Sequence, residues 1–98
     1  MKTTINAVKF RADEKLEKFV ADKVSKLDRI IDAATTCEVT LKVDKPESAN
    51  NKIGEISLAL PGQTLFIAKQ ADTFEQAVAE CVDAMKVQIE KYKERYNK

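Results

Sequence analysis

Apolar residues recur along this chain with two different spacings, and the order of those spacings predicts six elements. Two segments repeat apolar residues every three to four positions, as an amphipathic helix does; the other four alternate apolar with polar residues, as a half-buried strand does. The resulting order is β-α-β-β-β-α. The predicted spans are residues 2–9, 13–34, 37–45, 53–60, 63–71, and 72 to near the C-terminus.

Short polar motifs predict where these elements begin and turn. Asp13 precedes the first helical stripe and has the character of an N-cap. Asp72, followed three positions later by Glu75, has the spacing of a capping box for the last helix. Pro61 and Gly62 supply the fixed φ and the positive φ that the central positions of a type II turn require. The third and fourth strands are therefore predicted to form a hairpin.

The packing that satisfies these elements is an α+β domain with a four-stranded mixed sheet and both helices on one face. Two striped helices and one apolar sheet face then cover each other. The first helix connects two strands as a right-handed crossover, which makes that pair parallel and leaves the other pairs antiparallel. At 98 residues the chain has room for one domain, residues 1–98, with a single modest core.

The composition argues against catalysis. The chain has no histidine, which removes the commonest general base, the Ser-His and Cys-His dyads and the most frequent metal ligand. Its two cysteines, Cys37 and Cys81, are too few for a zinc cage, and we interpret them as reduced core thiols, with a disulfide as the alternative. We predict a protein that is not an enzyme and uses no cofactor, metal ion or small-molecule substrate.

The sequence also predicts a cytoplasmic protein without a membrane partner. No apolar run approaches the ~18–20 residues that a membrane span needs. The first six residues lack the apolar stretch of a signal peptide.

Charge is unevenly distributed, although the formal net charge is only +1. Residues 86–98 carry five cations and two anions, whereas residues 1–85 carry twelve cations and fourteen anions. In the first helix, cations collect on one flank of the apolar stripe, with Asp22 among them, and the other anions collect on the opposite flank. A phosphate backbone would explain this sorting. Pairs within the first helix and stabilisation of the last helix by its dipole explain it as well.

Three side chains have two interpretations each. Lys23 falls close to the apolar stripe, where it either extends its stem along the core edge or holds an ammonium group beside the neighbouring helix. Lys42 points away from the apolar face of its strand and is either a solvated, edge-protecting lysine or an anion contact on the open sheet face. For Phe66, packing in the core or at an edge is favoured over stacking on a nucleobase.

Motifs for reading specific bases are absent from the sequence. It has no phosphate-binding glycine loop, no Gly-x-x-Gly clamp of a KH domain, and no paired sheet aromatics of an RRM domain. Recognition of RNA would therefore depend on backbone charge and shape.

Three segments, taken together, resemble a family of ribosome-binding proteins. They are Phe19-Val20-x-x-Lys23-x-x-Lys26-Leu27, Val39-x-Leu41-Lys42-Val43-x-Lys45 and Asp83-x-Met85-x-x-Gln88-Ile89-x-Lys91-x-Lys93. In register with the β-α-β-β-β-α order, they resemble the short ribosome hibernation promoting factors, also described as ribosome-associated translation inhibitors or sigma-factor modulation proteins. The resemblance covers nearly the whole chain.

This resemblance implies a fold like that of double-stranded-RNA-binding domains and a role in translation regulation. Such proteins bind the small ribosomal subunit in the channel for messenger and transfer RNA, inhibit translation and promote hibernation in stressed or stationary-phase bacteria. Contact with ribosomal protein as well as rRNA stays open. The chain is similar to the short members, which need a separate factor to pair ribosomes, and we expect a monomer off the ribosome.

The resemblance also implies a set of rRNA-binding residues. They are Lys23 and Lys26 of the first helix, Lys42 and Lys45 of the second strand, and Lys86, Lys91, Lys93 and Arg95 of the last helix. Ala84 and Val87 depart from the family pattern, which usually has basic residues there. The alternative function is a small cytoplasmic protein-interaction module that acts through its charged helix flanks without touching RNA.

Overall fold

A computed structural model describes residues 1–45, 47 and 49–96 and contains the six elements in the predicted order. Their bounds are β1 (Lys2–Ala7), α1 (Glu14–Asp28), β2 (Thr36–Val43), β3 (Lys52–Leu60), β4 (Gln63–Ala71) and α2 (Phe74–Tyr96). The predicted α+β class is thus confirmed. The molecule is elongated, with principal extents of 48 × 23 × 18 Å.

The strands lie in the order β1-β2-β3-β4, so each strand borders its neighbour in sequence. β1 and β2 are parallel, as the crossover through α1 predicts, and the other two pairs are antiparallel. Alternate residues of β2 and β3 are buried beneath the helices: Cys37, Val39, Leu41, Ile56, Leu58 and Leu60. The opposite side of the sheet, which neither helix covers, is called the open face below.

The core lies between this buried sheet face and the apolar stripes of the two helices. The buried helix residues are Val20, Val24 and Leu27 of α1, and Ala77, Val78, Cys81, Val82, Met85 and Ile89 of α2. Each large apolar side chain buried in this way contributes about 1.5–3 kcal/mol relative to an exposed one. Gly54 of β3 brings α2 close to the sheet, since a Cβ there would lie 3.4 Å from backbone atoms of Ala77 and Val78.

The helix α1 is shorter than its apolar spacing predicts. It ends at Asp28 rather than near residue 33 or 34, and the N–H of Arg29 donates to the carbonyl of Lys26 at 3.3 Å. Ile31 nevertheless fills the core, with only 5% of its surface exposed. The last apolar position of the stripe therefore belongs to a turn that folds back onto the core.

The two helix N-termini differ in how well the sequence predicted them. The Asp13 carboxylate accepts a hydrogen bond from the N–H of Leu16 at 2.8 Å, as an N-cap should. At α2 the prediction was wrong, because the cap is Thr73, whose hydroxyl accepts from the N–H of Gln76 at 3.0 Å. Asp72 instead accepts from the backbone N–H of Asn50 at 2.7 Å and ties the loop before β3 to the end of β4.

Strand ends shift by one or two residues, whereas the hairpin is as predicted. β1 stops at Ala7, and Lys9 just beyond it has a positive φ of 62°. β2 ends at Val43, so Lys45 lies in the loop rather than in the strand. Gly62 has the positive φ of 84° that a type II turn requires, and β4 spans the predicted residues.

Candidate nucleic-acid interface

The two helices run in the same direction, so their C-terminal halves lie at the same end of the sheet. Both are antiparallel to β1, β2 and β4, because α1 returns from β1 and α2 follows β4. Near this end the N-terminal ammonium of Met1 lies 3.2 Å from the Asp28 carboxylate. The Tyr92 hydroxyl donates to the Pro61 carbonyl at 3.3 Å. The basic second half of α2 therefore lies beside the end of α1.

The contact between Asp28 and the start of β1 shows which flank of α1 faces α2. Asp28 lies on the flank that turns towards β1, because it pairs with Met1. At about 100° per residue, Lys23 and Lys26 lie on the opposite flank, which faces α2. Ile30 follows on this side and lines a crevice together with Tyr92 and Lys93.

On α2, the flank that faces α1 carries two further lysines. Val82 on this side is buried, and Lys86 and Lys93 lie near it on the helical wheel, seven positions apart. Lys93 shares its crevice with Arg29 at the end of α1. Lys23, Lys26, Lys86 and Lys93 thus border the seam between the two helices, and we call this the helix groove.

The position of Lys23 agrees with both interpretations of this residue, a stem along the core edge and an ammonium group beside the neighbouring helix. Its side chain is half-buried, and its ammonium lies 5.6 Å from the centroid of the Phe19 ring. A cation over an aromatic face gains about 0.5–1 kcal/mol at such a site. The ring therefore holds the ammonium at the core edge while leaving it on the flank that faces α2.

Two other predicted residues of α2 lie on its far side. Lys91 and Arg95 fall on the flank that faces away from α1 and towards the β4 edge, and both are exposed. They extend the positive charge around the C-terminal half of α2 without joining the helix groove. Arg29, absent from the predicted set, lies nearer to the groove than either of them because it lines the crevice with Lys93.

Lys42 and Lys45 lie away from the helix groove, at the far end of β2. Lys42 is on the open face, as predicted, where its ammonium forms an ion pair of 2.8 Å with the Glu55 carboxylate. Lys45 is exposed in the loop beyond the strand, and its carbonyl accepts from the side-chain amide of Asn51 at 3.0 Å. The eight predicted residues therefore form three groups rather than one.

Phe66 does not pack in the core. It lies on the open face of β4 with 58% of its surface exposed. Local spacing does not predict this exposure, because a strand at the sheet edge and a strand inside it can share the same alternation.

The cysteines are buried in the core, as predicted, and both are free. Burial raises the pKa of Cys37 to about 11, with a further rise from the Asp28 carboxylate. Burial likewise raises the pKa of Cys81 to about 11, and its thiol donates to the Gly54 carbonyl at 3.1 Å. Both thiols are therefore protonated and unreactive near neutral pH.

Within residues 1–45, 47 and 49–96, no three Cys, Asp or Glu side chains lie close enough together to hold a metal ion. Neither helix of this part of the chain has the length and apolar content of a membrane span.

Comparison with known proteins identifies the family. A family model described as "Sigma 54 modulation protein / S30EA ribosomal protein" matches residues 3–97. A ribosome hibernation promotion factor from Deinococcus radiodurans is 30% identical over 86 residues. That alignment covers 87% of this chain but 45% of the relative, so the chain spans less than half of the relative's length.

Solved structures share the fold over nearly the whole chain. A ribosomal subunit interface protein from Coxiella burnetii has a TM-score of 0.81 at 21% identity, covering 95% of this chain and 98% of the other. The N-terminal domain of Protein Y from Thermus thermophilus has a TM-score of 0.78 at 20% identity, covering 94% and 99%. Because the family model spans almost the entire sequence, this chain belongs to the family of sigma 54 modulation and S30EA ribosomal proteins.

Proposed function

We propose that this chain binds the small ribosomal subunit in the channel for messenger and transfer RNA, where it inhibits translation and promotes hibernation under stress or in stationary phase. The observation that carries this proposal is the helix groove. It places Lys23, Lys26, Lys86 and Lys93 along one seam of a rigid two-layer domain. A phosphate backbone is the partner that such a row of ammonium groups fits best.

The mechanism is steric and electrostatic. Each lysine that neutralises an rRNA phosphate releases condensed counterions, and this release drives binding. The elongated body, 48 Å in its longest dimension, then occupies space that the messenger and transfer RNA would need. No base-specific contact is required, because phosphate contacts alone can set position and orientation.

The open face offers a second contact with the walls of an enclosed channel. Lys42 and Lys45 lie at the other end of the sheet from the basic half of α2. A flat RNA surface could not reach both regions at once, whereas a channel that surrounds the domain could. Lys42 would have to exchange the Glu55 carboxylate for a phosphate, so its contribution is expected to be smaller than that of a groove lysine.

Co-sedimentation with purified small subunits tests the proposal. The chain should pellet with subunits at about 50 mM salt and lose most of its affinity by about 200 mM. A variant with the four groove lysines changed to alanine should stay in the supernatant. A control in which Lys18, on the side of α1 away from the sheet, is changed to alanine should pellet almost like the parent. Failure of the parent to pellet at low salt would end the proposal.

Two added measurements separate this function from a protein-interaction module. The parent should inhibit translation in a purified system, and an excess of messenger and transfer RNA should displace it from the small subunit. If instead a ribosomal or other protein remains bound in equal amounts after nuclease digestion, contact through the charged helix flanks without RNA is the correct function.

A further inference from the structure

The outer edge of β4 has the features of a strand that can pair with another chain. β4 borders β3 on one side, and no strand of the described residues lies on its other side. The strand is nine residues long and contains a single charged residue, Lys69, and no proline. Natural edge strands are usually shortened or protected by charge or proline, because an unprotected edge recruits further strands.

The register of the hairpin shows which backbone groups point outwards. Leu60 and Gln63 flank the two-residue turn and pair with each other. Counting from Gln63, the backbone N–H and C=O groups of every second residue of β4 therefore point towards β3. The groups of the intervening residues, Thr64, Phe66 and Ala68, point away from the sheet. Phe66 at the centre of this edge also exposes 58% of its surface.

We propose that two copies of this chain pair through β4. The two strands run antiparallel about a twofold axis at Phe66, so that both sheets join into one continuous sheet. This inference does not depend on the proposed ribosomal function, and it departs from the monomer that the sequence led us to expect.

The chemistry of the strand is self-complementary in this register. Each Phe66 lies opposite its own copy, and the backbone N–H and C=O groups of the two Phe66 residues pair. Leu65 lies opposite Ile67 of the second copy, so half-buried apolar residues meet on the helix side of the sheet. Lys69 lies opposite Gln63 of the second copy. A register shifted towards the end of the strand would instead place the two Lys69 side chains opposite each other.

The flank of α2 above this edge fits the same arrangement. Gly54 contacts α2 at Ala77 and Val78, and Tyr92 reaches Pro61, so Ala84 lies at about the level of Phe66. A twofold axis at that level brings Ala84 next to its own copy, where the small side chain allows two helices to approach.

Charge along α2 supports this pairing as well. The helix begins acidic and ends basic, and two antiparallel copies therefore place opposite charges side by side. Glu80 of one copy comes near Lys91 of the other, since both lie on the flank that faces the β4 edge.

A second copy fits this edge better than RNA does. The open-face row that contains Phe66 continues across Ser57 to Glu38, and Glu55 lies diagonal to Phe66 on β3. The Glu38 carboxylate would repel a phosphate backbone, and the Glu55 carboxylate is already paired with Lys42, so this row offers a phosphate no free cation.

Sedimentation equilibrium of the purified chain over a wide range of concentrations tests the pairing. We expect a reversible monomer–dimer equilibrium. Phe66→Lys should raise the dimer dissociation constant at least about tenfold, as loss of a central aromatic contact typically does. Val87→Lys is the matched control, because Val87 is 54% exposed on the side of α2 away from the sheet, and this variant should dimerise like the parent.

Cysteine crosslinking tests the register and does not depend on the Phe66→Lys variant being folded. Phe66→Cys should form a disulfide between copies under mild oxidation, because paired residues across the axis lie about 5.5 Å apart. Thr64→Cys should not, since Thr64 faces Ala68 of the second copy. The native thiols of Cys37 and Cys81 are buried and should not compete.

A parent chain that stays monomeric at millimolar concentration would overturn the proposal. So would a dimer that Phe66→Lys leaves intact, or one that Thr64→Cys crosslinks as readily as Phe66→Cys. If Phe66→Lys weakens pelleting with small subunits while the parent is monomeric, the ribosome covers this edge instead. Failure of the parent to bind subunits, by contrast, would bear on the proposed function alone.

Discussion

The ammonium of Lys42 lies 2.8 Å from the carboxylate of Glu55 on the neighbouring strand. The two residues are diagonal neighbours on the open face, because Lys42 is level with Ile53 and Glu55 is level with Thr40. With 41% of the Lys42 side chain exposed, the pair contributes at most about 1 kcal/mol to stability. Its larger effect is to neutralise the charge that Lys42 would offer to an anion.

Removing that carboxylate should strengthen binding to the small subunit. Glu55→Gln leaves Lys42 free to contact a phosphate, and the log–log dependence of affinity on salt should steepen by about 0.9. Co-sedimentation across a salt series measures this slope. Glu38→Gln removes the same charge from the open face without altering the ion pair, so equal effects of the two variants would mean that Lys42 contacts no phosphate.

Single substitutions in the helix groove should change the salt dependence one phosphate at a time. Lys26→Ala and Lys93→Ala are each expected to weaken binding and to reduce the salt slope by about 1. Arg29→Ala should resemble Lys93→Ala, since the two residues line the same crevice. Lys18→Ala, on an exposed part of α1, is the control for loss of net charge. A slope that falls equally in all four variants would show that the groove has no special role.

The sequence was sufficient for the elements and their order because each depends on local spacing. Alternation in β2 and β3 reflects one buried face, and the Pro61–Gly62 turn needs only its own φ angles. The end of α1 was not predictable in the same way. Ile31 continues the helical spacing, yet it lies in a turn and is still buried. Only the position of the sheet below decides whether this residue is part of the helix or of the turn.

The candidate site depends still more on contacts between distant residues. Lysines at positions 23, 26, 86 and 93 come together because both helices run in the same direction across one sheet face. No local pattern assigns a flank of α1 to α2. Arg29 was omitted because the predicted set came from the three segments of the resemblance, none of which reaches residue 29. The exposure of Phe66 depends in the same way on β4 being the last strand of the sheet.

The different roles of Asp72 and Thr73 can each be measured. Thr73→Ala should lower the free energy of unfolding by about 1 kcal/mol, because α2 loses its N-cap, and it should speed amide exchange at Gln76. Asp72→Ala should speed exchange at Asn50, whose N–H loses its acceptor, and leave Gln76 protected. Hydrogen exchange followed by NMR distinguishes them. Faster exchange at Gln76 in Asp72→Ala would restore Asp72 as the cap.

The contact between Gly54 and α2 sets a size limit on β3. A Cβ at this position meets Ala77 and Val78 at 3.4 Å, so Gly54→Ala should fold with a change in unfolding free energy of less than about 1 kcal/mol. Gly54→Leu has no room and should cost several times more or prevent folding, since overpacking forces the backbone apart. Chemical denaturation measures both variants. Equal stability of the two would mean that α2 can move away from the sheet without loss.

The buried thiols should make stability fall at alkaline pH. In the folded chain the pKa of Cys37 and of Cys81 is raised from 9.0 to about 11, so as the pH rises the unfolded chain loses the thiol protons before the folded chain does. The neutral thiols therefore contribute their full stability below pH 9. This contribution is lost as the pH rises to about 11, by up to about 3 kcal/mol per thiol. Urea denaturation of the parent and of a variant with both Cys37→Ala and Cys81→Ser isolates this effect, because the two proteins differ only in these two thiols. The variant should be less stable than the parent at pH 8, where it lacks the native packing, and the difference should narrow as the pH rises. Parallel pH profiles for the two proteins would show that the thiols ionise equally in the folded and unfolded chains.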